Sequence, residues 1–359
     1  MLYNRIYNFS AGPSMLPIEV LESARDNLVN FEGCGMSVME MSHRSKVYQG
    51  IIDSAQLLLR RVMNIPDEYE ILFMQGGASQ QFACVPLNLM KTGASYAVTG
   101  NFSKKAYQEA QKFGAAYLAA DNSEGGFARI PRQDELAVAP DSDYFHICFN
   151  NTVYGTKWDY IPEVSCPLVA DMSSCILSEP VDVSKFGLIY AGAQKNMAPA
   201  GLTVVIIRRD LLGQARPGTP TMLDYKTHAD AGSMYNTPPT YQIYILKLVL
   251  EWIESLGGLE GMAEINRKKA GILYDYLDNS SFYIARSDRG NRSMMNVTYR
   301  TPSAELDAKF VAESLELGFQ NLKGYRAAGG IRASIYNAMP VEGVEALVDF
   351  MGRFERENA

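Results

Sequence analysis

Leu188-Ile189-Tyr190-Ala191-Gly192-Ala193-Gln194-Lys195-Asn196-Met197, followed closely by Thr203-Val204-Val205-Ile206-Ile207, is the stretch that decides the fold. Two short apolar runs enclose a turn of mostly small residues, and that turn carries one lysine. Short, continuously apolar runs suit strands buried on both faces, because such a sheet has no wet side to demand alternation. The same unit recurs upstream. The run over 70–74 precedes Gly76-Gly77 and a helical pattern over 79–89, and the run over 95–99 precedes Gly100-Asn101 and a helical pattern over 103–113. Runs over 144–149 and 167–171 are of the same kind. Strands alternating with helices imply an α/β fold, a mostly parallel sheet with helices on both faces.

Outward from that centre, residues 16–30 and 46–64 read as amphipathic helices, with Val47, Ile51, Ala55 and Leu58 recurring at helical spacing. A long apolar helix over 238–256 ends at Gly257-Gly258, a suitable C-terminal cap. A charged helix over 259–278, strands near 293–299 and 331–335, and a last helix from about 340 give the final third an α+β character. The expected division is a large domain over 15–257 and a smaller one built from 1–14 and 258–359.

Composition narrows the functions open to the chain. Its 359 residues are 47% hydrophobic with a formal net charge of -7, enough for a sizeable core and the wrong sign for nucleic acid or an anionic membrane. The five cysteines are scattered and include no C-x-x-C pair, which fits reduced thiols in the cytoplasm. Three histidines, none in H-E-x-x-H spacing, argue against a protein-bound metal. The first residues lack the apolar core of a signal peptide, and no apolar run reaches membrane-spanning length.

Ligands of open α/β sheets gather where strands end at their carboxyl side. After the first run comes Gln75-Gly76-Gly77-Ala78-Ser79, where glycines let backbone amides approach an anion and a helix points its positive end at it. A strand-to-helix turn needs glycine in any case, so the cradle and the bare turn stand side by side. Asp171 closes another run, either as a helix N-cap or as an ionised carboxylate able to keep a pyridinium nitrogen protonated. Lys195 follows the next run. Most lysines are solvated surface charges, but one set among small residues at a sheet rim can have its pKa lowered by burial and serve as a nucleophile. A carboxylate on one strand end and an amine on the next match the pyridoxal phosphate (PLP) pattern. Arginines gather in Tyr325-Arg326-Ala327-Ala328-Gly329-Gly330-Ile331-Arg332, with Met41-Ser42-His43-Arg44 near the start of the chain; each could be a solvated charge, yet a clustered set suits a substrate with a carboxylate and a phosphate.

Six runs, in order, carry a resemblance: Asn8-Phe9-Ser10-Ala11-Gly12-Pro13, Met41-Ser42-His43-Arg44, Gly76-Gly77-Ala78-Ser79-Gln80-Gln81-Phe82, Ala193-Gln194-Lys195-Asn196, Asn236-Thr237-Pro238-Pro239 and Gly330-Ile331-Arg332-Ala333-Ser334-Ile335-Tyr336-Asn337. Together they resemble the phosphoserine aminotransferase family, in the class V group of fold-type-I PLP enzymes. The resemblance implies that Lys195 carries pyridoxal 5'-phosphate and later moves a proton, and that Asp171 holds the pyridine nitrogen. It implies that Thr152 and Gln194 lie beside the cofactor ring and that Phe102 stacks on it. Ala78 and Ser79 would bind the cofactor phosphate, with Asn236 and Thr237 arriving from the neighbouring subunit of a homodimer. Arg332 would take the substrate α-carboxylate. His43 and Arg44 of the neighbour, with Arg326, would take the substrate phosphate. The implied reaction exchanges the amino group between O-phospho-L-serine and 2-oxoglutarate, giving 3-phosphooxypyruvate and glutamate; whether 4-phosphooxy-L-threonine is also a substrate is left open by the resemblance.

Two positions depart from the family pattern. Phe102 stands where the family often has Trp, and Tyr325 where it commonly has His. A phenol brings no positive charge to a phosphate at neutral pH, so phosphate binding is expected to lean on His43, Arg44 and Arg326. Rival readings are weaker. A cysteine desulfurase needs a reactive cysteine in a late loop, and no cysteine follows Cys175. Class V enzymes that pair alanine or serine with glyoxylate need no phosphate arginines. A non-catalytic nucleotide-binding module would leave Asp171, Lys195 and the arginines without a task.

Overall fold

A computed structural model describes residues 2–326 and 328–359. The chain opens with a short strand β1 (Tyr7–Asn8) and helices α1 (Ile18–Asp26) and α2 (Lys46–Val62), the latter capped by Ser45, whose hydroxyl accepts from the Tyr48 N–H. Strand and helix then alternate: β2 (Tyr69–Met74), α3 (Gly77–Leu89), β3 (Gly93–Val98), α4 (Asn101–Ala110), β4 (Ala115–Asp121) and β5 (Phe145–Cys148). A small hairpin of β6 (Asn150–Asn151) and β7 (Thr156–Lys157) follows, then β8 (Leu168–Asp171), β9 (Leu188–Gly192) and β10 (Thr203–Arg208).

These strands form a seven-stranded sheet in the order β2-β10-β9-β8-β5-β3-β4. All run parallel except β10, which is antiparallel to β2 and β9. Its reversal places its first residue, Thr203, beside Gly192 and Met74, at the carboxyl edge of the parallel strands. Successive residues feed opposite cores: Ile71 and Phe73 pack on the side of α2, while Leu72 and Met74 pack with Phe82 and Val85 of α3. Burial on both faces is why these strands read as continuous apolar runs rather than alternating ones.

After α5 (Tyr225–Asp230) come the long helices α6 (Thr240–Ser255) and α7 (Gly258–Asn279), separated by Gly257 at φ 90°. The rest is a three-stranded antiparallel sheet of β11 (Ile284–Ala285), β12 (Asn296–Arg300) and β14 (Ile331–Ser334), with helices α8 (Ala304–Glu316) and α9 (Val341–Asn358). A short strand β13 (Phe319–Gln320) pairs in parallel with β1. A separate core of Leu273, Val297, Phe310, Leu347 and Phe350 fills this part, and Phe9 and Met15 from the start of the chain join it. Helix α7 is shared: Leu259 and Met262 enter the main core, Leu273 and Leu277 the second.

The fold class is the one expected, though the periodicity leaves several elements unassigned, β4 and α8 the longest among them. Strand β4 is alanine-rich and largely exposed at the sheet edge, so it shows neither a buried run nor clean alternation. Helix α8 has a capping Ser303 and acidic residues in its first turn, yet Phe310 and Ser314 are its only buried residues, too few to mark a stripe. No helix among the described residues is long and apolar enough to cross a membrane.

Candidate active site

The carboxyl edge of the main sheet collects the groups singled out from the sequence. Asp171 is the last residue of β8, and Lys195 lies in the turn between β9 and β10. No helix follows Asp171, which removes the N-cap reading; instead its Oδ1 accepts from the Ser173 N–H at 2.9 Å in a local turn. The carboxyl is 5% exposed for the residue as a whole, and burial pushes its pKa up against the opposing pull of hydrogen bonds from Ser173 and of the Lys195 charge. Burial likewise draws the Lys195 amine below its ordinary value; Asp171 opposes this shift and the nearby positive charge of Arg332 adds to it.

Thr152 ties the centre together. It follows the β6 strand, is 4% exposed, and its hydroxyl accepts from Lys195 Nζ at 2.8 Å. Its carbonyl accepts from Arg332 Nη1 at 3.4 Å. Arg332 comes from β14 of the second sheet, at the register position opposite Thr298. Its Nε is buried and has no partner among the described residues, and desolvation lowers its pKa. A guanidinium enclosed with an unused N–H has donor capacity held ready for a carboxylate. The Phe102 ring, just after the start of α4, lies 5.5 Å from Lys195 Nζ.

The turn into α3 has a specific backbone. Gly76 and Gly77 adopt φ 89° and 67°, and a Cβ on Gly76 would come within 1.9 Å of Gln80 Oε1. The side chain is therefore excluded where the helix begins, which leaves the amides of Ala78 and Ser79 in the first turn as anion donors. Gln194 is half-buried and its carbonyl accepts from the Ser14 N–H at 2.9 Å.

The anion-binding set expected at the mouth is less gathered. His43 Nδ1 and Thr237 Oγ1 share a hydrogen bond of 3.2 Å, and the Thr237 carbonyl accepts from Gln75 beside the α3 turn at 3.2 Å. These contacts lie within one chain. Arg44, Arg326 and Asn236 are exposed, as is Tyr325. The last two residues of the loop, Gly329 and Gly330, take φ 68° and 67°, and Arg286 Nη1 holds the loop through the Ala328 carbonyl at 2.6 Å.

Several contributors carried no sign of a role in the sequence. Ser14 Oγ donates to the Lys195 carbonyl, and a Cβ at Gly12 would lie 3.3 Å from Lys195 Cγ, so Gly12 and Ser14 line the lysine's turn. Tyr336 Oη donates to the Ala11 carbonyl at 2.8 Å and accepts from Asn296 Nδ2 at 3.2 Å. Ser173 Oγ accepts from the Gly192 N–H at 3.0 Å, joining the ends of β8 and β9. The available signal was that Ser14 and Ser173 follow singled-out motifs and Tyr336 lies within one; the partners named here are distant in sequence. Among the described residues no cluster of His, Cys, Asp and Glu could hold a metal ion.

Nearly the whole chain is similar to known proteins. The family model described as aminotransferase class-V matches residues 6–347. A phosphoserine aminotransferase of Bacillus cereus is 56% identical over 357 residues, 99% of each chain. The solved phosphoserine aminotransferase of Bacillus circulans subsp. alkalophilus superposes with a TM-score of 0.97 at 46% identity, covering 99% of both chains. That of Trichomonas vaginalis, described as PLP-bound, superposes with a TM-score of 0.93 at 38% identity, covering 97% of this chain and 100% of its own. The chain belongs to the class-V aminotransferase family, in its phosphoserine aminotransferase group.

Proposed function

We propose that this protein transfers an amino group between O-phospho-L-serine and 2-oxoglutarate, with pyridoxal 5'-phosphate carried on Lys195. The observation that carries the reading is Thr152, which meets Lys195 with its hydroxyl and Arg332 with its carbonyl, beside an enclosed Asp171. These residues fit the cofactor on physical grounds. A protonated pyridine nitrogen would give Asp171 the countercharge that its burial demands, and the glycine-lined turn into α3 suits a phosphate. When bound, the cofactor supplies an electron sink for the pair left at the substrate Cα.

The chain's own residues do the rest. Burial lowers the pKa of Lys195 and so favours its neutral amine, the form able to take the proton from the substrate Cα and pass it onward. Phe102 offers an apolar ring face on the Lys195 side, Gln194 lies in the same turn, and Ala78 and Ser79 anchor the cofactor phosphate. Arg332 takes the α-carboxylate with its buried Nε, which has no partner among the described residues. His43, Arg44 and Arg326 receive the side-chain anion, a phosphate in one half-reaction and a carboxylate in the other. In a homodimer with shared sites, His43, Arg44, Asn236 and Thr237 would serve the partner's site; their exposure or clustering at one rim is compatible with that. Five free cysteines are compatible with a reducing, cytoplasmic setting, where serine biosynthesis and, through 4-phosphooxy-L-threonine, pyridoxine biosynthesis would use this chemistry.

A donor panel with 2-oxoglutarate as acceptor tests the reading. O-Phospho-L-serine should exceed L-serine and L-alanine in kcat/KM by at least about a hundredfold, the scale expected when a charge-assisted hydrogen bond to the anion cannot form. Equal rates with the unphosphorylated donors would replace it with a general class V transaminase.

A further inference from the structure

Lys269 has no part in the chemistry proposed above, yet it is fully enclosed on α7. Its ammonium donates to three consecutive main-chain carbonyls, those of Ile335 at 3.3 Å, Tyr336 at 2.6 Å and Asn337 at 3.0 Å. Among the described residues it forms no ion pair. Burial draws its pKa down to about 7. An enclosed cation without a countercharge is costly, and a methionine would occupy similar space at no such cost. What the lysine gains is specific: one charged group gathers three C=O dipoles of a bend that no regular ladder satisfies.

That bend touches the reacting centre from several sides. It begins directly after β14, which carries Arg332. The Asn337 N–H donates to Asn196 Oδ1 at 3.0 Å, and Asn196 is the residue next to Lys195. Asn337 Nδ2 donates to the Leu177 carbonyl, and its Oδ1 accepts from Asn266, one turn before Lys269 on α7. Tyr336 reaches the Ala11 carbonyl beside Gly12, whose backbone lies against the Lys195 side chain. The segment thus joins the strand of Arg332, the turn of Lys195 and the N-terminal run.

We infer that Lys269 is a positioning residue: by holding the carbonyls of 335–337 it fixes Arg332 relative to Lys195, and so sets the binding of the α-carboxylate shared by every amino donor. The inference rests on the transamination proposed above, through the role of Arg332. It makes no claim on the side-chain anion, whose arginines lie elsewhere.

The test compares Lys269→Met, which cannot donate, with Lys269→Gln, which keeps two N–H donors, each as holoenzyme beside the wild type. In Lys269→Met the KM for O-phospho-L-serine and the KM for L-glutamate should rise together, roughly tenfold, with kcat within about threefold, the pattern of weakened uniform binding. The ratio of the two kcat/KM values should hold within about twofold, and Lys269→Gln should recover part of the loss. A purely structural role would lower the melting temperature and leave both KM values unchanged, which overturns the inference. A change confined to one donor overturns it as well, as does failure of both variants to fold. Absence of phosphoserine turnover in the wild type would instead refute the proposed function, before any variant is made.

Discussion

Thr152 shows how little of an active site need be acidic or basic to decide its chemistry. One hydroxyl and one carbonyl of the same residue receive the amine and the guanidinium, so two positive groups are held near each other and near Asp171. The charges make a signed prediction. In the apoprotein, Lys195 should capture a simple aldehyde with a pH midpoint below the ordinary lysine value of 10.5, because burial disfavours its ammonium. Arg332→Leu removes a like charge and should raise that midpoint, whereas Asp171→Asn removes an opposite one and should lower it. Capture rates against pH, followed by mass analysis of the peptide holding Lys195, read both shifts; movement in the reverse directions would dismiss this electrostatic arrangement. Asp171 and Lys195 were legible in the sequence because strand ends are recognisable from apolar runs. Ser14 and Tyr336 were not, since each acts through a main-chain carbonyl of a segment far away along the chain.

At the level of elements, the turn from β2 into α3 is the part most tightly specified by backbone. Gly76 combines a left-handed φ with a space that Gln80 already fills. Gly76→Ala should therefore strain the first turn by about 1–3 kcal/mol and spoil the amide cradle of Ala78 and Ser79. An absorbance titration should give a weaker dissociation constant for pyridoxal 5'-phosphate, by about tenfold or more on that energy scale, while pyridoxal lacking the phosphate should be less affected. Equal losses for both ligands would remove the phosphate role from this turn. The glycines themselves were visible in the sequence, but not their meaning, because any strand-to-helix turn favours them. Elements were legible where both faces are buried, as in β8 to β10, or where one stripe is, as in α2. Edge strand β4 and the shallowly buried α8 escaped, because a partner on one side or a cap alone leaves a weak periodic trace.

Across the whole molecule, the centre of the main sheet contains a polar group that the site does not use. His146 on β5 is 2% exposed, stacks on Tyr96 with ring centroids 5.0 Å apart, and shares a hydrogen bond of 2.8 Å with Tyr190 Oη. Burial lowers its pKa from 6.5 to about 3. Between those values the unfolded chain binds a proton that the folded chain refuses, so stability falls as the pH drops through this window. The slope from one such group is about 1.4 kcal/mol per pH unit. Urea midpoints between about pH 6 and pH 4 should decline less steeply for His146→Gln than for the wild type; identical slopes would show that His146 does not set the acid limit. The larger organisation follows from the same physics, as parallel strands bring their carboxyl ends to one edge and the second sheet brings Arg332 to meet them.

Lys195 as the point of attachment is the claim on which the rest depends, and one chemical measurement reaches it directly. The purified holoenzyme is reduced with borohydride, digested and mapped by mass. The mass added by a pyridoxyl phosphate group should fall on the peptide containing Lys195 and vanish when O-phospho-L-serine is supplied before the reduction. A label on Lys269 or on any other lysine, or none on Lys195, would contradict it.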